Sequence, residues 1–245
     1  AAAARLGDRP RTGWKIAVAE SVHSSVATAA RVIDVGVVDV PGDERGRLTG
    51  PALRDRLDGL DPEEAASVFA VVASAGATNA GTVDDLAGVA EICSDRDIWF
   101  HVDGAYGGAG LAAPSVRDLF RGIERADSFI VDPHKWLFAP YDCCALVYRE
   151  PSRAHGVFRQ EAGYLDTVNQ PEAEWSEWNP ADYAYHLSRR ARGLPLWFSL
   201  ATYGTDAYRD AIEQVLALTR ETAEEIRSRG ELELDVLEPV LRQHR

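Results

Sequence analysis

Short apolar runs alternate with amphipathic segments along this chain, and that alternation restricts its fold more than any other feature. The run at 67–74 is almost continuously apolar, which is typical of a parallel strand buried on both faces of a sheet. Comparable runs occupy 15–20, 35–40, 98–102, 128–131 and 144–148. The pattern predicts an α/β fold in which helices cover a mostly parallel sheet.

Three segments between these runs carry signals for the start of a helix. Residues 24–33 open with two serines that could serve as an N-cap. Residues 48–60 place Thr49 and Pro51 where a cap and a first turn favour them. Residues 84–94 open with two acids, which we expect in the first turn because they interact well with the positive end of the helix dipole.

The last third of the chain changes character. Residues 160–182 are polar and aromatic without a clear period, and predict a long loop. Residues 185–203 and 208–228 predict two helices, and the second could lead into a smaller domain that begins near residue 206.

The net charge of the chain disfavours several classes of binding partner. A formal net charge of −13 over 245 residues disfavours nucleic acid and anionic membrane surfaces, since both require a basic binding face. No apolar run approaches the length of a membrane span, and no secretory leader is evident, so we expect a cytoplasmic protein. The three cysteines match no zinc-site spacing, and we expect buried or half-buried thiols without a metal.

Lysine is rare in this chain, with two lysines against 24 arginines. Arginine stays protonated in proteins, whereas lysine can lose its proton and form a Schiff base with a carbonyl group. Lys135 lies in the segment Asp132-Pro-His-Lys-Trp, and we interpret it as a residue present for its amine. We interpret Lys15 as an ordinary surface lysine.

Three further candidates lie at strand ends or in loops, where open α/β sheets bind ligands. Asp103 follows the strand at 98–102 and precedes the glycine-rich segment 104–108. Its carboxylate could pair with a protonated pyridine nitrogen or could cap a turn. The imidazole of His23 could stack on a flat cofactor ring or simply lie near the start of a helix, and Tyr164 is an aromatic residue in the long loop.

Three motifs in this chain resemble one enzyme family. They are Glu20-Ser-Val-His-Ser-Ser-Val, His101-Val-Asp-Gly-Ala-Tyr-Gly-Gly and Ala126-Asp-Ser-Phe-Ile-Val-Asp-Pro-His-Lys-Trp. Together they resemble the pyridoxal-phosphate-dependent group II amino-acid decarboxylases, in particular the aromatic-L-amino-acid decarboxylase branch. The resemblance extends over nearly the whole chain and implies a fold of type I, the aspartate aminotransferase architecture.

The resemblance assigns a role to each matching residue around the cofactor, pyridoxal 5′-phosphate. It implies that Lys135 holds the cofactor as an internal aldimine, that Asp103 pairs with the pyridine nitrogen, and that His23 and Ala105 flank the two ring faces. Thr78 would lie near the phenolic oxygen, and the phosphate side would be lined by Ser128, Asp132 and His134. Asp132 departs from relatives that carry asparagine, and a carboxylate beside a phosphate is electrostatically unfavourable.

Tyr164 bears on the type of reaction. It resembles the loop tyrosine that returns a proton to the substrate α-carbon after CO₂ leaves, through a quinonoid intermediate, to give an amine. Relatives with phenylalanine there tend to form aldehydes, because a phenol can act as a general acid and a benzyl group cannot. The alternatives are another fold type I enzyme, such as an aldehyde synthase or a carbon–carbon lyase, and an inactive fragment or structural homologue.

The resemblance also implies domains, partners and a substrate class. Residues 1–205 would form a large cofactor-binding domain that lacks its N-terminal part, and 206–245 a linking helix and the start of a small C-terminal domain. The expected state is a homodimer with the site at the interface. The segments around His134-Lys-Trp and Tyr141-Asp-Cys favour aromatic L-amino acids as substrates.

Overall fold

The computed structural model describes residues 10–158 and 180–229. Within them a six-stranded sheet contains β1 (Lys15–Ala19), β2 (Gly36–Val40), β3 (Val68–Ser74), β4 (Trp99–Asp103), β5 (Ser128–Val131) and β6 (Ala145–Tyr148). The strand order is β2-β1-β3-β4-β5-β6, and all neighbouring pairs are parallel except β5 and β6, which are antiparallel. The predicted mostly parallel sheet is confirmed, and each strand lies within one residue of its expected bounds.

Six helices accompany the sheet in the described residues: α1 (Ser24–Val32), α2 (Gly50–Asp58), α3 (Pro62–Ala66), α4 (Leu86–Asp95), α5 (Pro151–Phe158) and α6 (Gly193–Arg229). At α2 the cap is the expected one, because the Thr49 side chain accepts a hydrogen bond from the amide of Ala52.

Two helix starts differ from expectation. The N-cap of α1 is His23, whose Nδ1 accepts a hydrogen bond from the amide of Ser25, so the serines themselves are inside the helix. At α4 the N-cap is Asp85, which accepts from the amide of Gly88, and no acid lies in the first turn. Asp84 precedes this cap and is buried, so its carboxylate contacts other parts of the fold and not the helix start.

The C-terminal helices also differ from the sequence prediction. Residues 185–192 are not helical, and α6 begins only at Gly193. Its path breaks at Gly204, where φ of 75° and ψ of 164° lie outside helical space and suit a residue without Cβ. The two predicted helices are therefore separate, and the break falls at the glycine. Of the predicted loop, residues 160–179 lie outside the described part, and Pro180–Tyr183 form a 3₁₀ turn.

The central strands β1 and β3 are buried on both faces of the sheet, which explains why they are almost continuously apolar. Along β1, Ala17 and Ala19 belong to one core cluster, whereas Ile16 and Val18 belong to the other. Side chains of successive residues point to opposite faces, so both sets need apolar residues. The first cluster is completed by α2, α4 and the second half of α6, and the second by α1. Each fully buried Leu, Ile or Val contributes about 1.5–3 kcal/mol.

Two further predictions concern membrane-spanning helices and the cysteines. In the described part of the chain, no helix combines the length and apolarity needed to cross a membrane. None of the three cysteines is in a disulfide, and Cys93 and Cys143 are buried as expected. Cys144 was also expected to be buried or half-buried, and this expectation was wrong. The residue directly precedes the edge strand β6 and is exposed.

Candidate functional site

A cleft of about 190 Å³ opens at the carboxyl edge of the parallel strands. Segments that follow β1, β3, β4 and β5 line it, because parallel strands deliver the next residues of the chain to the same edge. Six of the predicted site residues line this one cleft: His23, Thr78, Asp103, Ala105, Asp132 and Lys135.

Lys135 lies in a tight turn directly after β5. Its amide donates to the carbonyl of Asp132 at 2.9 Å, and its own carbonyl accepts from the amide of Phe138 at 3.2 Å. The turn is fixed to the segment after β4, since the Asp132 amide donates to the carbonyl of Ala105 at 3.2 Å. The Lys135 amine then lies 3.0 Å from a carboxylate oxygen of Asp132. The backbone therefore aims an amine into the cleft beside an acid.

Asp103 is the last residue of β4. The sequence prediction had ended this strand at residue 102 and placed Asp103 just after it. It pairs in register with Ser74 of β3 and Ile130 of β5, and both of these residues also line the cleft. One carboxylate oxygen accepts from the amide of Ala105 at 3.0 Å. Asp103 is thus held centrally between two strands, with its carboxylate at the cleft.

Two glycines allow the backbones beside the cleft to touch. Gly76 has φ of +95°, and a Cβ there would lie 2.5 Å from the Cα of Gly107. A Cβ on Gly107 would in turn lie 2.6 Å from the carbonyl oxygen of Ala75. No side chain fits at either position, so glycine is required for the loops after β3 and β4 to meet.

His23 caps a helix and also lies at the cleft. Its ring caps α1 through Nδ1, which is 3.2 Å from the amide nitrogen of Ser25 and 2.8 Å from the hydroxyl oxygen of the same residue. The residue also lines the cleft. The cap fixes the orientation of the imidazole, which leaves the ring face as the surface that a ligand could contact.

Ser128 does not line the cleft. It is buried, and its hydroxyl oxygen lies 2.9 Å from Nε1 of Trp99, which donates to it, and 2.7 Å from Nδ1 of His101. Burial lowers the pKa of His101, although Asp103 acts in the opposite direction. A neutral imidazole can accept the hydroxyl proton, which completes a chain of hydrogen bonds from Trp99 through Ser128 to His101.

His134 also lies outside the cleft lining. Its Nδ1 is 2.7 Å from the carbonyl oxygen of Cys143 and 3.2 Å from the amide nitrogen of the same residue. Its ring packs edge-on against Tyr141, with the ring centroids 4.9 Å apart. The contacts of this histidine join the turn after β5 to the segment before β6. Tyr164 lies outside the described residues.

The sequence did not identify several residues of this region. Ser74, Ser25, Tyr106 and Ile130 line the cleft, and the position of Ser74 at a strand end was the available signal. Asp84 accepts hydrogen bonds from the amides of Ser74 and Leu48. Burial raises the pKa of Asp84 to about 7, while both amide hydrogen bonds act to lower it.

The cleft can hold a small aromatic aldehyde that carries a basic ring nitrogen. It presents an amine that can condense with a carbonyl, an acid that can pair with a protonated heterocycle, and an imidazole beside them. The donor set fits that kind of group.

Comparison with known proteins agrees with this chemistry. Residues 13–242 match the family model described as the pyridoxal-dependent decarboxylase conserved domain. The chain is 35% identical over 211 residues to an aromatic-L-amino-acid decarboxylase of Bacillus atrophaeus, covering 82% of this chain and 42% of that protein. It is likewise 35% identical over 222 residues to an acidic amino acid decarboxylase of Xenopus tropicalis, covering 88% of this chain and 42% of that protein.

A crystal structure of mouse CSAD has the same fold. It superposes with a TM-score of 0.84 at 33% identity, and the match covers 93% of this chain and 47% of that one. The chain therefore spans less than half the length of these three relatives.

Proposed function

We infer the function of this chain from its family: it belongs to the pyridoxal-dependent decarboxylases, whose cofactor is pyridoxal phosphate. We propose that the protein is a lyase that removes the α-carboxylate of an L-amino acid as CO₂ and releases the amine. The observation that carries the proposal is the presence of Lys135 and Asp103 in one cleft at the carboxyl edge of the sheet.

Four residues of the cleft would hold the cofactor. Lys135 would attach it covalently through its amine, and Asp103 would keep its ring nitrogen protonated. When bound, pyridoxal phosphate supplies a conjugated ring that accepts the electron pair left behind by the departing carboxylate. The imidazole of His23 and the methyl group of Ala105 would flank the ring, so that it is held flat between them.

The oxygen atoms of the cofactor would be contacted from other positions. Thr78 lines the cleft and is proposed to lie near the phenolic oxygen. Ser128, Asp132 and His134 are the residues proposed for the phosphate side, and only Asp132 of these lines the cleft. Ser128 and His134 would act there by fixing β5 and the turn that follows it.

Tyr164 would decide the product. We propose that its phenol returns a proton to the α-carbon after CO₂ has left, which yields an amine rather than an aldehyde. Aromatic L-amino acids are the favoured substrates. The segment His134-Lys-Trp and the similarity to an aromatic-L-amino-acid decarboxylase support that choice.

We further propose a cytoplasmic homodimer with its site at the subunit interface. Three cysteines without a disulfide agree with a reducing compartment. Within the chain, we propose a boundary near residue 205 between the cofactor-binding domain and a linking helix, and the break of α6 at Gly204 supports it.

Absorbance with added pyridoxal phosphate tests the attachment residue. Wild type should develop a visible band, and Lys135→Ala should not. Lys15→Ala is the matched control, because it removes the other lysine of the chain and should leave the band unchanged. A band of full intensity in Lys135→Ala would refute the assignment.

Product analysis tests the reaction type. A panel of aromatic, acidic and basic L-amino acids should release CO₂ and the matching amine, with aromatic substrates the fastest. Tyr164→Phe should lose amine and gain aldehyde. Unchanged amine output in that variant would contradict the role of Tyr164, and aldehyde from the wild type would identify an aldehyde synthase instead.

A further inference from the structure

Asp132 has an unusual set of neighbours for a residue beside the attachment amine. Its side chain is only 15% exposed, and one carboxylate oxygen lies 3.0 Å from the Lys135 amine. Partial burial, and next the neighbouring Asp132 carboxylate, raise the pKa of the Cys144 thiol to about 12. The thiol therefore stays protonated at neutral pH. Nε2 of His134 lies 4.0 Å from the Asp132 carboxylate oxygen that contacts Lys135.

The backbone builds this ion pair into the turn. Asp132 and Lys135 are three residues apart, and the Lys135 amide donates to the Asp132 carbonyl, so the two side chains leave the same turn. Asp132 itself is anchored by its amide to Ala105. The fold therefore places the two charged groups together. Weak surface ion pairs, in contrast, form where two long side chains meet by chance.

The other lysine provides a reference within the same molecule. Lys15 begins β1 at the opposite edge of the sheet, and its amine pairs with the carboxylate of Glu64. Its side chain is 21% exposed, against 35% for Lys135. The chain thus contains two ion-paired lysines, of which only Lys135 lines the cleft.

We propose that Asp132 is a positioning residue that acts as counter-ion to Lys135 and slows the attack of its amine on carbonyl groups. The inference rests on the proposed function, in which Lys135 is the attachment residue. An ammonium group must release a proton to solvent before its nitrogen can form a bond to a carbonyl carbon. The ion pair at 3.0 Å holds this nitrogen against the carboxylate, and it must break before the nitrogen can reach a carbonyl carbon.

The same geometry separates this role from contact with the phosphate. A residue that contacted the phosphate would affect only aldehydes that carry one, whereas a counter-ion affects the reaction of Lys135 with any electrophile.

Competitive acetylation at neutral pH tests the proposal on the full chain. The probe is N-acetoxysuccinimide, a neutral reagent without ring recognition or phosphate, and peptide mass spectrometry reads the rate at each lysine. Acylation transfers the acetyl group to nitrogen, expels N-hydroxysuccinimide and releases the amine proton to buffer. We expect Asp132→Asn to accelerate acetylation of Lys135 by about threefold or more, with Lys15 unchanged.

Matched variants complete the design. Glu64→Gln should accelerate Lys15 and leave Lys135 unchanged, whereas Asp132→Glu should restore a slow rate at Lys135. Faster labelling of both lysines in Asp132→Asn would reveal a loss of fold, and Asp132→Ser then supplies the second charge-free comparison. An unchanged Lys135 rate in a folded, charge-free variant overturns the proposal.

A parallel measurement follows the rate at which pyridoxal phosphate attaches to Lys135. Acceleration of both reactions by Asp132→Asn supports the counter-ion role. Acceleration with pyridoxal phosphate alone overturns it, because Asp132 would then act by repelling the phosphate. If acetylation accelerates but pyridoxal phosphate never attaches to Lys135 in any variant, the ion-pair inference holds and the proposed function fails.

Discussion

The carboxylate of Asp84 accepts a hydrogen bond of 2.6 Å from the backbone amide of Ser74, the last residue of β3 and part of the cleft lining. Its other oxygen accepts from the amide of Leu48 at 2.8 Å. Asp84 is 3% exposed, so water cannot replace either bond. One buried acid therefore ties the strand end at the cleft to the segment that leads into α2.

Loss of this acceptor should destabilise the fold. In Asp84→Asn the side-chain amide would present a donor to one of the two backbone N–H groups, and we expect a loss of about 2–4 kcal/mol in unfolding free energy. Urea unfolding at about pH 4, where the stability contributed by Asp84 is complete, measures this loss by circular dichroism. Asp39→Asn, at an exposed position of β2, is the control and should change stability little. Equal stabilities of the two variants would contradict the structural role of Asp84.

Asp84 should also make stability depend on pH. Its pKa is raised from 3.8 to about 7 in the folded protein, so folding favours the protonated form. The stability that this gives is complete below about pH 4 and is lost as the pH rises toward 7, by at most on the order of 4 kcal/mol. The unfolding free energy of wild type should therefore fall more steeply over that interval than that of Asp84→Asn. Parallel pH profiles for the two proteins would show that Asp84 does not titrate there.

The glycine contact beside the cleft predicts unequal costs for two alanine substitutions in one loop. Gly76 and Gly81 both have positive φ, but a Cβ on Gly76 would lie 2.5 Å from Gly107, whereas a Cβ on Gly81 meets nothing within 4 Å. Backbone strain alone should cost Gly81→Ala about 1 kcal/mol. Overlap with a rigid backbone should raise the cost of Gly76→Ala to about 3 kcal/mol. Thermal unfolding compares them, and similar costs would mean that the close approach is not required.

His23 allows helix capping and cofactor contact to be separated. His23→Ala should lose about 1 kcal/mol of stability through the missing N-cap and should also weaken pyridoxal phosphate binding. His23→Asn keeps a capping side chain but has no aromatic ring, so stability should return while affinity stays low. Fluorescence titration with pyridoxal phosphate and urea unfolding give the two quantities. Recovery of affinity in the asparagine variant would indicate that His23 acts only as a cap.

Ser128 should matter for stability more than for the cofactor. Ser128→Ala removes an oxygen shared by Trp99 and His101, and we expect a loss of about 2 kcal/mol, since both groups would lose a buried hydrogen bond. Because Ser128 does not line the cleft, affinity for pyridoxal phosphate should change by less than about twofold, or 0.4 kcal/mol. Ser67→Ala, which removes one bond to the carbonyl of Glu64 at the far edge of the sheet, is the comparison. A large loss of affinity in Ser128→Ala would support direct contact with the phosphate.

The sequence predicted the strands well, because central strands that are buried on both faces need continuous apolar runs, and such runs are visible locally. It predicted helix starts less well. The serines at 24–25 were expected to cap α1, and the acids at 84–85 to lie in the first turn of α4. The caps are instead His23 and Asp85, because the backbone geometry of the residue before the helix selects the cap. The start of α6 was misjudged because 185–192 contain helix-forming residues that tertiary contacts hold in another conformation, such as the pairing of Arg192 with Asp142.

From the sequence alone we predicted a lysine present for its amine, an acid at the end of a buried strand, and the strands that carry both. These are local properties, because residue type and apolar period are written along the chain. Which of these candidates lie together depends on the three-dimensional fold. The parallel arrangement brings Asp103, His23 and Lys135 to one edge, turns Ser128 away into a buried hydrogen-bond chain, and places Asp132 against the lysine. Side-chain direction depends on register, twist and turn geometry, which arise from contacts between residues distant in sequence.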